Sequence, residues 1–243
     1  MQQTHRTIVV TGASSGIGRA IALLLLEQGH KVIGVARDFS KAPYDEENFT
    51  AVSVDLSDLE KLPAWLDTLA REHHTIDGVI CCAGSGRFGS LEEFSYDQIR
   101  SLLEINLTSQ IYLVRALLPG MKQRGRGDII FMGSGAARAG GKRGAVYSAA
   151  KFGLRGLAQS LREECASNGV RVSIINPGMV KTAFFDNLDF RHGEEPDNYI
   201  QPEDVARAAL TILEAREGTV FDEINLSPQK KVVRFTKSEG NQD

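Results

Sequence analysis

The sequence predicts a doubly wound α/β domain, with one parallel sheet between two layers of helices. Short apolar, β-branched runs alternate with amphipathic helical stretches from Thr7 onward, which is the pattern of parallel strands joined by crossover helices. A glycine-rich turn, Gly12 to Gly18, stands between the first strand and the first helix. The chain has 243 residues, 42% hydrophobic and 24% charged, enough to bury a two-sided sheet as one domain. No solenoid repeat and no linker divides residues 1–243.

Seven strands are expected, at 7–10, 31–36, 51–54, 78–82, 128–132, 170–175 and 220–226. The first helix, 17–28, should stop at Gly29. The second, 59–72, carries Pro63 near its first turn, where proline is tolerated. The third, 96–123, contains Pro119, which predicts a kink or an early end. The helix at 145–168 is uninterrupted, and 202–214 opens on Pro202. Residues 38–50 form a polar connection. Residues 182–201 are irregular, rich in Asp, Asn and Gly, and carry Phe184, Phe185 and Phe190. A loop of that length in a compact domain predicts a lid over a substrate. The basic tail 229–243, with Lys230, Lys231, Arg234 and Lys237, reads as a solvated end or a subunit contact.

Bulk properties exclude several classes. A net charge of -3 lacks the dominant basic face of a nucleic-acid binder. No apolar run reaches membrane-spanning length, and the polar start lacks the apolar core of a secretory signal. The three cysteines, Cys81, Cys82 and Cys165, are odd in number and lack metal-ligand spacing, as do the five histidines. No metal is expected, and a reduced, cytoplasmic setting is the simplest expectation.

The turn Thr11-Gly12-Ala13-Ser14-Ser15-Gly16-Ile17-Gly18 has the context of a phosphate-binding loop. A helix start offers free N–H groups and a positive dipole end, and glycine lets the backbone approach a pyrophosphate. At the end of the second strand an acidic residue would hold the ribose hydroxyls of NAD. Here that slot is Ala36, and Arg37 follows. A guanidinium grips a 2′-phosphate through paired bonds, so NADP(H) is favoured over NAD(H). Asp38 complicates this, since it could pair with Arg37 or reach the ribose itself. Asp55, followed by Leu56, closes the third strand, where a carboxylate could accept from the adenine amino group.

Tyr147 and Lys151 lie four apart on one helix, hence on one face. A free phenol has a pKa near ~10. An ammonium one turn away is expected to lower it, so that Tyr147 could exchange a proton with a carbonyl or alcohol.

With these residues in place, the chain resembles the short-chain dehydrogenases/reductases along nearly its whole length. The resemblance rests on Thr11-Gly12-x-x-x-Gly16-x-Gly18, on Asn106 within Glu104-Ile-Asn-Leu-Thr108, and on Ser134 thirteen residues before Tyr147. Asn176-Pro177-Gly178 followed by Thr182 completes it. It implies a single-domain Rossmann fold and an NADP-dependent oxidoreductase acting on the CH–OH group of donors. Ser134 would polarise the substrate oxygen, and Lys151 would bind the nicotinamide ribose as well as tune Tyr147. Asn106 would hold a water on a proton path. Pro177, Gly178, Val180 and Thr182 would place the carboxamide, with hydride leaving the B face. The family's usual Asn-Asn-Ala-Gly is here Cys81-Cys82-Ala83-Gly84, which keeps the close backbone approach at Ala83 and Gly84 but removes two amides. A thiol at Cys82 would lie near the cofactor, where inert packing is the plain reading and oxidation sensitivity the sharper one.

The segment Asp222-Glu-Ile-Asn-Leu-Ser-Pro228 and the helix start at Pro202 look more like the branch of NADP-dependent 3-hydroxy acid dehydrogenases. Arg138, Arg143 and Arg191 are then candidates to hold a substrate carboxylate. The alternatives are a ketoreductase acting on acyl thioesters and a non-enzymatic NADPH-binding sensor or scaffold. The resemblance also implies a homodimer or homotetramer, packed through the two long helices.

Overall fold

The computed structural model describes residues 5–235. Its main sheet has seven strands, all parallel, in the order β3-β2-β1-β4-β5-β6-β8. These are β1 (Thr7–Thr11), β2 (Lys31–Ala36), β3 (Phe49–Ser53), β4 (Gly78–Cys81), β5 (Gly127–Met132), β6 (Val170–Pro177) and β8 (Glu223–Leu226). The helices are α1 (Gly16–Glu27), α2 (Leu62–Glu72), α3 (Tyr96–Leu103), α4 (Ser109–Arg124), α5 (Ala145–Cys165) and α6 (Pro202–Leu213). Among the described residues, no helix is long and apolar enough to cross a membrane.

Alternation along the central strands explains the two helical layers. On β1, Ile8 and Val10 pack with α1 and α6, while Val9 between them packs with α2, α4 and α5. Every one of these side chains is fully buried, as a parallel sheet covered on both faces requires. The strand order reverses direction between β1 and β4, which opens a crevice at their carboxyl ends.

Three regions differ from the sequence expectation. The single helix expected at 96–123 is two helices joined by a π-helical turn, Glu104–Thr108. Pro119 neither ends nor interrupts α4, which runs on to Arg124 and stops at Gly125 in the left-handed conformation. Leu117 and Met121, either side of the proline, are buried, and their packing outweighs the lost backbone bond. The third difference is the lid. Rather than being irregular, residues 182–201 contain 3-10 turns at Ala183–Phe185 and Pro196–Asn198 and a strand, β7 (Phe190–His192). The tail supplies its partner. Strand β9 (Val233–Phe235) pairs antiparallel with β7, and all three of its residues are exposed. Lys237 lies outside the described residues.

Candidate active site

The carboxyl ends of β1, β4, β5 and β6 open onto a cavity of about 680 Å³. It is lined at one end by Gly12, Ser15, Gly16, Ile17 and Gly18, and at its centre by Cys82, Ala83, Gly84 and Asn106. Ser134, Tyr147, Lys151, Pro177, Gly178, Val180 and Thr182 complete its far side. Ser14 stays outside the lining, as do Arg37, Asp55 and Leu56.

The glycine turn is shaped by contacts that only glycine allows. Gly12 has φ +69°, and a Cβ there would sit 3.2 Å from the Ala83 backbone. A Cβ on Gly18 would lie 2.3 Å from the Gly12 carbonyl oxygen. The turn before α1 therefore lies close against the loop after β4, and Ser15 to Gly18 at the start of α1 line the cavity. Thr11, fully buried, holds that loop: its hydroxyl accepts from the Cys82 and Ala83 N–H groups, each at 3.0 Å.

At the end of β2, Ala36 is buried and Arg37 is exposed. Arg37 has no hydrogen-bonding or ion-pair partner among the described residues. Asp38 does not pair with it, because its carboxylate accepts from the Ser40 N–H (2.8 Å) and hydroxyl (2.7 Å). Those bonds hold the Asp38 carboxyl below its ordinary range. Asp55 accepts from Ser57 N–H and hydroxyl through one oxygen, with Arg37 contributing more weakly to its lowered pKa. Leu56 is a core residue under β3.

On the opposite wall, α5 presents Tyr147 and Lys151, both buried. Lys151 Nζ donates to the Met132 carbonyl at the end of β5 (2.9 Å) and lies 5.7 Å from the Tyr147 ring centre. Ser134, just beyond β5, caps the turn Gly135–Ala137 by accepting from the Ala136 N–H (3.1 Å). Asn106 lies in the π-helical turn, where the widened backbone lets its amide turn inward. Its Nδ2 donates to the Ser85 and Leu102 carbonyls at 2.9 Å each. Its Oδ1 is buried without a partner among the described residues. A Cβ at Gly84 would meet that Oδ1 at 2.7 Å and Lys151 Nζ at 3.8 Å, so both groups border one small space.

The electrostatics depart from the sequence expectation. The Tyr147 phenol is not lowered: burial pushes it up to about 12, against a weaker opposing hydrogen bond from Ser134. Burial also pulls Lys151 down to about 8. The two groups share one dry wall, and desolvation disfavours charge on each. The Cys82 thiol is likewise pushed up to about 12 by burial, which leaves little thiolate and makes packing its better reading.

Asn176, named in the sequence only as part of its motif, accepts from the Ser134 N–H (3.3 Å) and donates to Glu223 (3.0 Å) and Asn225 (3.1 Å). Phe88, also in the lining, was missed because it carried no motif. The three arginines considered for a carboxylate are about half exposed, and each has a carboxylate of the chain itself nearby. Arg138 pairs with Glu223 (3.7 Å), Arg143 with Glu93 and Asp189 (3.6 Å each), and Arg191 with Glu194 (3.8 Å).

The sequence profile of the short chain dehydrogenase family matches residues 6–191. The chain belongs to this family. It is an oxidoreductase by that membership, and an uncharacterized oxidoreductase of Staphylococcus saprophyticus is 31% identical over 231 residues, 92% of this chain and 97% of that one. An alcohol dehydrogenase from the archaeon Thermococcus sibiricus, solved with 5-hydroxy-NADP, superimposes with a TM-score of 0.82 at 25% identity. That match covers 94% of this chain and 99% of the archaeal one. A metagenomic short-chain oxidoreductase in complex with NADP gives 0.77 at 30% identity, over 93% and 98% of the two chains.

Proposed function

We propose that this short-chain dehydrogenase uses NADP(H) to interconvert a carbonyl and a secondary alcohol on a small substrate, with Tyr147 as acid/base. The observation that carries this is the placing of Ser134, Tyr147 and Lys151 on one wall of a cavity whose other end is the glycine turn. That turn fits a dinucleotide, because a Cβ at Gly12 or Gly18 would fill the close approach it makes beside the cavity. Ser14, Ser15 and the start of α1 would hold the pyrophosphate, and Asp55 would face the adenine. Arg37, exposed beside Ala36 and without a hydrogen-bond or ion-pair partner among the described residues, favours a 2′-phosphate, and the NADP-bound relatives support the same choice. The backbone at Ala83 and Gly84 would border a ribose, and Pro177 to Thr182 the carboxamide. When bound, the dinucleotide supplies or accepts the hydride.

The chain's own residues handle the oxygen and its proton. Ser134 and Tyr147 offer two donors to the carbonyl oxygen, preorganised for the charge that develops there. A phenol with a pKa of about 12 is protonated at neutral pH, and so is ready to give its proton as the carbonyl carbon gains a C–H bond. Lys151 stands next in line to restore that proton. The unpartnered Asn106 Oδ1 is the acceptor that would hold a water between Lys151 and solvent. Ile111 on α4 and Phe152 on α5 stand 37% and 43% exposed, a face suited to a second copy of the chain.

The test is oxidation of NADPH and NADH, in parallel, against a panel of carbonyl compounds. NADPH should be the better donor, and Tyr147→Phe should lower kcat by about 10²–10⁴-fold. Equal rates with NADH would remove the role of Arg37, and an unimpaired Tyr147→Phe protein would remove the mechanism.

A further inference from the structure

We propose, resting on the reading of the site just given, that its carbonyl substrate carries an aryl or similarly bulky apolar group rather than a carboxylate. The space beyond Tyr147 is walled by four phenylalanines from two separate loops. Phe88 comes from the loop after β4, and Phe184, Phe185 and Phe190 come from the lid. They form a continuous chain of rings around the tyrosine. Phe88 lies 5.1 Å from Tyr147 and 4.9 Å from Phe190, Phe184 lies 6.1 Å from Tyr147, and Phe185 lies 5.2 Å from Phe184. Phe184 also rests against Gly86, where a Cβ would stand 2.3 Å from its Cζ. All four phenylalanines are only partly buried and face the cavity. Partly exposed rings converging on one polar pair are the lining expected for an apolar ligand with one oriented polar atom.

The charges around this wall argue in the same direction. A carboxylate is held best by a free guanidinium with a planar, paired approach. Arg138, which borders the cavity, already faces the Glu223 carboxylate at 3.7 Å, and Arg143, outside the lining, faces Glu93 and Asp189 at 3.6 Å each. Lys142 and Lys231 border the cavity, but both are exposed to solvent, where a single ion pair is weak. Reduction balances within these groups. The hydride adds to the carbonyl carbon, the C=O π pair moves to oxygen, and the Tyr147 phenol proton completes the hydroxyl, leaving oxidised dinucleotide.

The experiment compares acetophenone, a four-carbon 3-oxo acid and an acyl thioester with the full chain and NADPH. Acetophenone should show kcat/KM higher than the oxo acid by on the order of 100-fold, since a hydrophobic wall discriminates by area. Phe184→Ala and Phe190→Ala should each lower that value by about 10-fold or more, through KM rather than kcat. Binding of NADPH, read by its fluorescence, serves as the fold control for both variants. A preference for the oxo acid or the thioester would overturn the proposal while leaving the oxidoreductase reading intact. Failure to turn over any carbonyl compound would instead remove that reading. In that case titration of acetophenone into the NADPH complex still decides the substrate class, and absence of saturable binding overturns it.

Discussion

The two ends of the sheet use the same polar chemistry in opposite ways. At the amino ends of the strands, Asp128 on β5 is buried and fully engaged. It accepts from Arg171 Nε (2.6 Å) and Nη2 (3.0 Å), and from Arg6, which enters from just before β1. The two guanidiniums then reach on to the end of α6, donating to the Leu213 and Ala215 carbonyls. Strands β1, β5 and β6 and the C-terminus of α6 are thereby tied to one carboxylate, and its bonding capacity is used. At the carboxyl ends, polar groups are buried with capacity to spare. Asn106 Oδ1 and Ser148 Oγ have no partner among the described residues, and burial disfavours the charged forms of Tyr147 and Lys151. The Asp128 node holds the fold, whereas Asn106 and Ser148 border the cavity with polar atoms left for a ligand or water.

Removing Asp128 should give the largest effect on stability. Asp128→Ala leaves two mostly buried guanidiniums without their carboxylate, a change that costs about 3–5 kcal/mol. Urea denaturation would measure it, and the KM for NADPH of the folded fraction should match the parent. A loss below about 1 kcal/mol would mean that this end is no more than a surface ion pair.

Lys151→Met should show the reverse: large for activity, smaller and of opposite sign for stability. The folded pKa of Lys151 is about 8, against an ordinary 10.5. Between those values the unfolded chain binds a proton at Lys151 that the folded chain does not, so the contribution of Lys151 to stability rises with pH across that window. Below it the penalty of burying the ammonium is fully present. The variant should therefore exceed the wild type in Tm most clearly below pH 8, and its advantage should shrink as pH climbs toward the ordinary lysine value. Turnover should be lost at every pH. A pH-independent gap in Tm would show that Lys151 carries no such penalty.

How much of this was legible in the sequence divides along the same line. The sheet was readable because strand and helix periods alternate, and the glycine turn because its flanking strand and helix give it context. Ser134 was legible only through the family resemblance, whereas Tyr147 and Lys151 could be picked out because spacing along one helix survives into space. The Asp128 node could not, since Arg6, Asp128 and Arg171 come from three distant segments and no local pattern links them. The expected acidity of Tyr147 failed because spacing reports who is near, but not how dry the wall is.

The lid and tail offer the smallest and most selective test of the contrast. Strand β7 is held by β9, by the Gly193 N–H donating to the Val232 carbonyl (3.1 Å), and by two ion pairs, Lys230–Asp197 and Arg234–Glu194, at 2.7 Å each. These anchors are largely solvent-exposed, so they add little to global stability. Their effect is local, because Phe190 on β7 contacts both Phe88 in the cavity and Phe235 on β9. Ending the chain after Gln229 should leave Tm and NADPH affinity close to those of the full chain. It should raise KM for an apolar ketone several-fold, roughly what a loosened hydrophobic contact is worth, with kcat held. A large fall in Tm would place the tail with the structural end of the molecule. An unchanged KM would show that Phe190 keeps its position without β9, and that the lid is ordered by the 3-10 turns at Ala183–Phe185 and Pro196–Asn198 alone.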